Sequence, residues 1–555
     1  MDYIDVIVKY NGSFEELTEK FAAQGEDLSL GYGIIVVPYG RIADLAGDEQ
    51  VEYLELPRNL ALMLTAAAEG SCITETRENG LNLTGRGIIL GVIDSGFDFS
   101  HGDFLNDEGK TRFLYIWDLS EGETLSGVLY KGREYDENYI NKYLETGEGE
   151  FKPYDVSGHG TAIAGAMGGN GRESGGRYAG AAPEGSFIGV KLNPNKPVVT
   201  VDIMRGIKYI TDKAAELRMP AVINISYGTS NGSHRGFSLF ERYIDEISET
   251  GRFVIAAAAG NEGNAGHHFK GRIKTGEVYD VKFNLAGELG FVYLAMWKDF
   301  TDKVSFEIIL PDGSSTGRAG YEQTIFKDII EGINIGIDIG RPSPYSLRQE
   351  IFIFMGDFKK ILPEGEWILR LYGEEVSDGN FDIWLPVNEL VSSDTYFIQA
   401  DSEVTITLPA ASGRILSVGG YNPETGEIAD FSGIGYSEGG YVKPDIAAPA
   451  VGIIAPRAGG GYDSFTGTSI ASPIAAGAAA LMMEWGIIKG NDAFMYGQRL
   501  KAFFRLGARR AADRIYPDSK WGYGRLCLEN SIENAVLYKN YNINLYFTPL
   551  REEYF

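Results

Sequence analysis

Cysteine and histidine are scarce in this chain, whose 555 residues include two cysteines and five histidines. The two cysteines, Cys72 and Cys527, are too few for a disulfide framework and match no metal-binding spacing. We therefore expect both to be unpaired packing residues. No cofactor is predicted. The question of a structural calcium ion stays open, although no fixed carboxylate spacing indicates one.

Long apolar runs and a cationic N-terminus are also missing. No stretch reaches the ~20 apolar residues that a membrane helix needs. Residues 1–10 alternate like a strand and carry acids where a signal peptide carries cations. We expect synthesis in the cytosol, no signal peptide and no membrane span, while later release stays open. The formal net charge of −27 argues against nucleic acid and anionic membranes as non-specific partners.

A stretch of small residues around Ser469 leads into an apolar segment, 474–485, that is typical of a buried helix. Ser469 lies where this helix begins. Unpaired N–H groups and the positive end of the helix dipole favour negative charge at such a position. Pro473 is expected within the first turn, where a missing N–H is tolerated. The alternative is a serine that only caps a core helix.

Two earlier segments carry a carboxylate and an imidazole. Residues 87–96 predict a buried parallel strand with Asp94 at its carboxyl end. Open α/β sheets bind ligands at this end of their strands. His159 lies between two glycines and opens a small-residue helix, so another group can approach its backbone closely. Taken alone, Asp94 could be a cap and His159 a structural residue. Asp, His and Ser in this chain order can form a catalytic triad, in which the carboxylate orients the imidazole and the imidazole activates the serine hydroxyl.

These three segments resemble the signature blocks of the subtilisin-like serine peptidases. A fourth block, residues 254–263, resembles the buried strand of that family that leads to an asparagine amide, here Asn261. The resemblance implies an α/β fold with a parallel sheet flanked by helices. It also implies that Ser469 is the nucleophile, His159 the general base, Asp94 its orienting acid and Asn261 part of the oxyanion hole.

The resemblance further implies how a peptide substrate is bound. Residues 221–228 resemble the strand that pairs with substrate in this family. The implied substrate-binding residues are Ser226, Tyr227, Gly228, Ala258 and Gly260. Tyr227 stands where the family usually has a smaller aliphatic residue. A plain core strand is the alternative interpretation.

The N-terminal 60 or so residues alternate between strand and helix patterns. They predict strands over 2–10, 33–39 and 51–56 and helices over 13–23 and 41–47. This unit resembles the ferredoxin-like prodomain of subtilases, which acts as folding chaperone and inhibitor; an accessory domain is the alternative. We assign it residues 1–66 and expect self-cleavage within 60–72, in a segment that lies in the active-site groove like a substrate.

A second composition change follows residue 270. Eight short strands are predicted, over 277–285, 291–297, 304–310, 333–339, 350–354, 367–372, 381–385 and 403–408. Subtilase-like sequence resumes at Arg414, so we predict a β-sandwich (jelly-roll) domain at 270–408, inserted between catalytic parts at 67–269 and 409–555. This architecture is similar to the Csp-type germination proteases of spore-forming anaerobes, which implies association with spores. The acidic segment 107–154 is expected to be a solvated loop and helix.

The predicted function is a serine endopeptidase that processes its own prodomain and activates a protein substrate by limited proteolysis. By resemblance, that substrate is the proform of a spore-cortex hydrolase. The alternative is a catalytically silent sensor or scaffold in germination signalling that keeps the fold. An esterase-type hydrolase is disfavoured because Ser469 does not lie in a Gly-x-Ser-x-Gly elbow.

Overall fold

The computed structural model describes residues 3–62, 81–121, 124–125, 129–130, 132–149, 155–356 and 359–547, with side chains described up to residue 539. Within these ranges the chain forms an N-terminal sheet, a central parallel sheet and an inserted region of antiparallel strands. Cys72 and residues 65–71, which include part of the predicted cleavage segment, lie outside the described residues. Cys527 is buried and forms no disulfide with any described residue, which agrees with the prediction of a packing cysteine.

The N-terminal unit has the β-α-β-β-α-β order of a ferredoxin-like fold. Its strands are Tyr3–Tyr10, Gln24–Ser29, Tyr32–Pro38 and Val51–Glu55, and its helices are Phe14–Lys20 and Ile42–Ala46. In the sheet the strands lie in the order second, third, first, fourth. The predicted strands and helices are confirmed, but strand Gln24–Ser29 was missed because its residues are mostly polar and only partly buried.

The central sheet has eight strands and forms the core of the second unit. Its strands, in spatial order, are Arg133–Asp136, Phe113–Asp118, Ser186–Lys191, Ile89–Asp94, Ala221–Ile225, Phe253–Ala258, Leu416–Tyr421 and Ile446–Pro449. All neighbours pair in parallel except the first two, which are antiparallel. The inner strands are apolar and buried on both faces, as parallel strands covered by helices must be.

Helices cover both faces of this sheet. They are Glu137–Thr146, His159–Gly168, Thr200–Leu217, Leu239–Ile247, Thr468–Met483, Gly497–Gly507 and Leu528–Phe547. Leu90 belongs to the apolar cluster on one face and Ile89 to the cluster on the other, which follows from the alternation of side chains along a strand. The α/β fold predicted from the motifs is therefore confirmed.

The inserted region consists of two antiparallel sheets that share one apolar cluster. The six-stranded sheet contains, in spatial order, His268–Arg272, Asn380–Trp384, Phe291–Asp299, Arg348–Gly356, Ile333–Ile339 and Ile325–Ile330. The four-stranded sheet contains Lys303–Ile309, Gly365–Glu375, Val278–Leu285 and Tyr396–Phe397. Leu294 from the first sheet and Phe283 from the second both lie in the shared cluster.

One strand prediction, over residues 403–408 at the end of the predicted insertion, is wrong. Residues 403–408 alternate like a strand, yet Thr405 donates its N–H to Ile434 and Thr407 donates to Ala259, so no single neighbouring strand pairs with them. Strands His268–Arg272, Ile325–Ile330 and Tyr396–Phe397 were not predicted, the second because polar residues interrupt its apolar ones.

The remaining strands are short. Asn59–Leu62 lies between Val198–Val199 and Tyr227–Gly228, Ile453–Pro456 pairs with Tyr462–Phe465, and Thr124–Leu125 pairs with Leu129–Tyr130. One helical stretch among the described residues, Thr468–Ile488, is long and apolar enough to cross a membrane, but 94% of its most apolar window is buried in the protein. Its last turn, Glu484–Ile488, is a π-helix.

Candidate active site

The predicted functional residues meet at the edge where the parallel strands end. Asp94 is the last residue of strand Ile89–Asp94, and Asn261 closely follows strand Phe253–Ala258. Helices His159–Gly168 and Thr468–Met483 begin at this edge. Because carboxyl ends of parallel strands share an edge, two strands and two helix N-termini deliver their side chains to one place.

Asp94 and His159 form a short, buried hydrogen bond. His159 Nδ1 lies 2.6 Å from Asp94 Oδ1, which also accepts the Ser95 N–H at 2.7 Å. Donation from Nδ1 leaves the lone pair on Nε2, since a neutral imidazole carries one proton. Nε2 is buried and has no hydrogen-bond partner among the described residues. The ring can therefore act as a base at Nε2.

The two glycines beside His159 allow the Asp94 segment to approach the backbone of the histidine helix closely, as the sequence predicts. Gly158 has φ +73°, a left-handed conformation that other residues rarely adopt. A Cβ on Gly160 would lie 2.2 Å from the Gly96 carbonyl oxygen and 2.9 Å from Asp94 Cβ. Any side chain at residue 160 would therefore push His159 away from Asp94.

Asp155 ties the histidine helix to the Asp94 turn, and the sequence analysis missed it. Its Oδ1 accepts the Ser95 hydroxyl at 2.7 Å and the Gly158 N–H at 3.1 Å. Its Oδ2 accepts the N–H and the hydroxyl of Thr161 at 2.8 and 2.7 Å. Burial is the largest influence on the pKa of Asp155 and raises it. The available signal was its place just before the glycine-flanked histidine.

Ser469 is the second residue of its helix and is buried, as is the whole first turn. The prediction that Pro473 lies within the first turn is wrong: it lies inside the helix, where it removes the hydrogen bond that would reach the Ser469 carbonyl. The Ser226 hydroxyl donates to that carbonyl instead, at 3.0 Å. Because Pro473 has no N–H to donate, the Ser469 carbonyl oxygen accepts from Ser226, and this bond ties Ser469 to the residue before strand Tyr227–Gly228.

Asn261 is anchored through its side-chain oxygen. Its Oδ1 accepts the N–H and the hydroxyl of Thr468, both at 3.0 Å. Thr468 directly precedes Ser469, and its hydroxyl also accepts the Gly260 N–H at 3.1 Å. These bonds fix the plane of the Asn261 amide, so that Nδ2 is held as a donor.

A strand from the N-terminal chain occupies the cleft. Strand Asn59–Leu62 pairs antiparallel with Tyr227–Gly228, with Leu62 opposite Tyr227 and Ala61 opposite Gly228. On its other side, Leu60 lies opposite Val198. This is the arrangement expected of an extended peptide added to an exposed strand.

The predicted substrate-binding residues line this cleft or lie behind it. Tyr227 contacts His159, with ring centroids 6.4 Å apart, and burial raises its pKa well above the usual value, so the phenol stays neutral. Since Ser226 binds the Ser469 carbonyl, consecutive residues touch the histidine and the serine. Ala258 and Gly260 are buried behind Asn261; a Cβ on Gly260 would lie 2.5 Å from Thr407.

Within the described ranges, no group of three or more His, Cys, Asp or Glu side chains could hold a metal ion. In the acidic segment, Glu121 accepts a hydrogen bond from Tyr135 at 2.7 Å. In helix Glu137–Thr146, Glu145 is exposed and Glu137 is half-buried. Residues 122–123, 126–128, 131 and 150–154 of this segment lie outside the described residues.

Comparisons with known proteins identify relatives of this chain. The family model described as "Subtilase family" matches residues 85–280 and 375–524, and the one described as "Csp protease B prodomain" matches residues 2–58. The unmatched stretch between the two subtilase segments falls within the inserted region. The solved structure of the Clostridium perfringens CspB protease is 34% identical, has a TM-score of 0.75 and covers 84% of this chain and 96% of its own.

Curated relatives match shorter parts. Serine protease AprX of Bacillus subtilis (strain 168) is 29% identical over 233 residues, which are 41% of this chain and 45% of AprX. C5a peptidase of Streptococcus pyogenes is 24% identical over 445 residues, 72% of this chain and 35% of that protein. The chain thus spans less than half the length of these two curated relatives.

Proposed function

The chain belongs to the subtilase family of serine peptidases, and from this premise we propose that Asp94, His159 and Ser469 form its catalytic triad. Serine is a weak nucleophile near neutral pH and needs an adjacent base. His159 takes the proton of the Ser469 hydroxyl at Nε2 as the oxygen attacks the peptide carbonyl. It later gives that proton to the leaving amine, while Asp94 holds the tautomer and stabilises the imidazolium.

The oxyanion of the tetrahedral intermediate is held by two donors. One is the Nδ2 amide of Asn261, whose oxygen is anchored on Thr468. The other is the Ser469 N–H, at the positive end of a helix. Losing one such donor typically costs ~3 kcal/mol of transition-state stabilisation, a value that the general principle takes from a subtilisin.

This proposal rests on the 2.6 Å hydrogen bond between Asp94 and His159. The hydrogen bond lies beside a cleft that is filled by strand Asn59–Leu62 of the same chain. The occupying strand supports self-processing of the prodomain. Ala61 lies opposite Gly228 and Leu62 lies opposite Tyr227. Continuing this antiparallel register, the residue after Leu62 comes to lie opposite Ser226, which is hydrogen-bonded to Ser469. We therefore expect the cut bond to follow Leu62 within a few residues, inside the predicted 60–72 segment.

Contacts outside the cleft favour a prodomain that stays bound after cleavage. Arg58 donates to both carboxylate oxygens of Glu350 in the inserted region, at 2.8 and 3.1 Å, and to Asn231 at 2.7 Å. Arg205 of the catalytic part is buried and donates to Asp5 at 3.2 Å and Glu26 at 2.8 Å. The prodomain is thus held by both other units.

The finer assignments rest on similarity to the CspB protease. We propose that the inserted region is a jelly-roll β-sandwich domain, with domains at 1–66, 67–269, 270–408 and 409–555. The substrate is the proform of a spore-cortex hydrolase, cut by limited proteolysis in a spore-associated setting after synthesis in the cytosol. The enzyme needs no cofactor.

Replacing the nucleophile tests the proposal. Purified Ser469→Ala should remain an uncut 555-residue chain, whereas the parent separates shortly after Leu62; mass spectrometry of the intact protein measures both. A fluorophosphonate probe should label the parent and the control Ser464→Ala, a partly exposed serine, but not Ser469→Ala. Self-cleavage by Ser469→Ala would rule Ser469 out as nucleophile. A parent that neither cuts itself nor takes up the probe would favour the silent scaffold.

A further inference from the structure

The inserted region begins and returns beside the oxyanion asparagine. Residues 261 and 262 directly precede the segment that enters the region, and the segment that follows strand Asn380–Trp384 comes back to the same two residues. Glu262 Oε1 accepts the Asn388 N–H at 3.1 Å. Asn261 Nδ2 donates to Glu389 Oε1 at 3.4 Å. Two adjacent residues of this returning part of the chain, which we call the return segment (residues 385–395), thus bind the adjacent residues 261 and 262.

The return segment is held firmly. Glu262 is buried and forms a 2.6 Å hydrogen bond with His267 Nδ1. His267 Nε2 lies 2.8 Å from the Thr395 carbonyl, so the imidazole joins both ends of the inserted region. Val387 packs against Ala61 of the strand in the cleft. The contacts of Val387 and Asn388 hold the chain directly before Glu389 in place, next to residues 261 and 262.

The Glu389 carboxyl lies where a charge would act on the reaction. Glu389 is an exposed residue whose Oε1 faces the Asn261 amide. Burial, followed by the charge of Glu262, raises the pKa of Glu389 to about 7, against the lowering effects of Asn261 and His267. Near neutrality a neutral carboxyl is therefore well populated, and its oxygen can accept from Asn261 without a full negative charge beside the oxyanion.

We propose that Glu389 is a positioning residue for the oxyanion hole, supplied by the inserted region. Thr468 fixes the oxygen of the Asn261 amide and Glu389 holds one of its two N–H groups, which aims the other at the developing oxyanion. The 3.4 Å separation is long for a hydrogen bond, and catalytic hydrogen bonds often shorten only in the reacting complex. This inference rests on the proposed function, because it acts through Asn261.

A double-mutant cycle with Asn261 tests it. The readout is hydrolysis of a fluorogenic peptide with the sequence of residues 57–66, for wild type, Glu389→Ala, Asn261→Ala and the double variant. Glu389→Ala should lower kcat about tenfold, the effect of one hydrogen bond, with KM changed less than twofold. In the Asn261→Ala background the same substitution should change kcat less than twofold, because its target is gone.

Two further variants separate positioning from a structural effect. Glu389→Gln keeps an uncharged acceptor and should restore kcat to within about threefold of wild type. Glu403→Ala, which removes another exposed carboxylate of this part of the chain, should leave kcat unchanged. Thermal unfolding of each variant reports folding.

Three outcomes would overturn the inference. Glu389→Ala could lower kcat as much in the Asn261→Ala background as in the wild type, which would indicate that Glu389 contacts the substrate. Alternatively, Glu389→Ala could change KM alone, or a folded Glu389→Ala could keep the wild-type kcat. If the wild-type enzyme cuts neither this peptide nor itself, it is the proposed function that fails.

Discussion

The central sheet and the inserted region hold the same active site by different means. The sheet places Asp94, His159 and Ser469 through backbone geometry, with one strand end and two helix starts at a common edge. The inserted region reaches the site through single side chains: Glu389 accepts a hydrogen bond from Asn261 at 3.4 Å, and Val387 packs against Ala61 of the strand in the cleft. Backbone placement tolerates little change, whereas side-chain contacts can be removed one at a time.

The largest effect is therefore expected from the sheet edge. Asp94→Asn should lower the rate of self-cleavage ~10⁴-fold with the fold intact, because an amide favours the wrong imidazole tautomer. The rate is measured by following the uncut chain after purification under denaturing conditions and refolding. Asp463→Asn, on an exposed aspartate, is the control and should cut at the parent rate. A loss below tenfold in Asp94→Asn would contradict the proposed triad.

A smaller effect is expected from Asp155, which acts only on the placement of the triad. Asp155→Ala removes the acceptor of four hydrogen bonds between the Asp94 turn and the histidine helix. Displacement of a catalytic group by about 1 Å can cost ~100-fold, and we expect a loss of that size in self-cleavage. Asp155→Asn keeps one acceptor oxygen and should fall between Asp155→Ala and the parent. Equal rates for all three proteins would show that Asp155 does not position His159.

The same contrast explains what the sequence could predict. Asp94, His159, Ser469 and Asn261 lie in contiguous motifs whose local pattern, a buried strand or a small-residue helix start, already indicates a site. Glu389 lies in a loop without periodicity, and its relation to Asn261 exists only in the folded chain.

Errors in the strand predictions have the same cause. Residues 403–408 alternate as a strand does, but their backbone partners Ile434, Ala259 and Thr229 lie in three separate segments that no local pattern reveals. Strand Gln24–Ser29 is polar and becomes a strand because Tyr32–Pro38 pairs with it. Pairing at a distance, which sequence periodicity does not encode, decided both cases.

The smallest effect is expected where the inserted region meets the prodomain. Arg58→Ala removes the paired contact with Glu350, whose side chain is 25% exposed, so the loss is below that of a fully buried pair. We expect the cleaved prodomain to bind about thirtyfold more weakly, about 2 kcal/mol, measured as dissociation from the mature enzyme on dilution. Arg41→Ala, which removes an exposed arginine paired within the prodomain itself, should change nothing. If Arg58→Ala and Arg41→Ala release the prodomain equally, the inserted region does not retain it, and contacts with the catalytic part account for its binding.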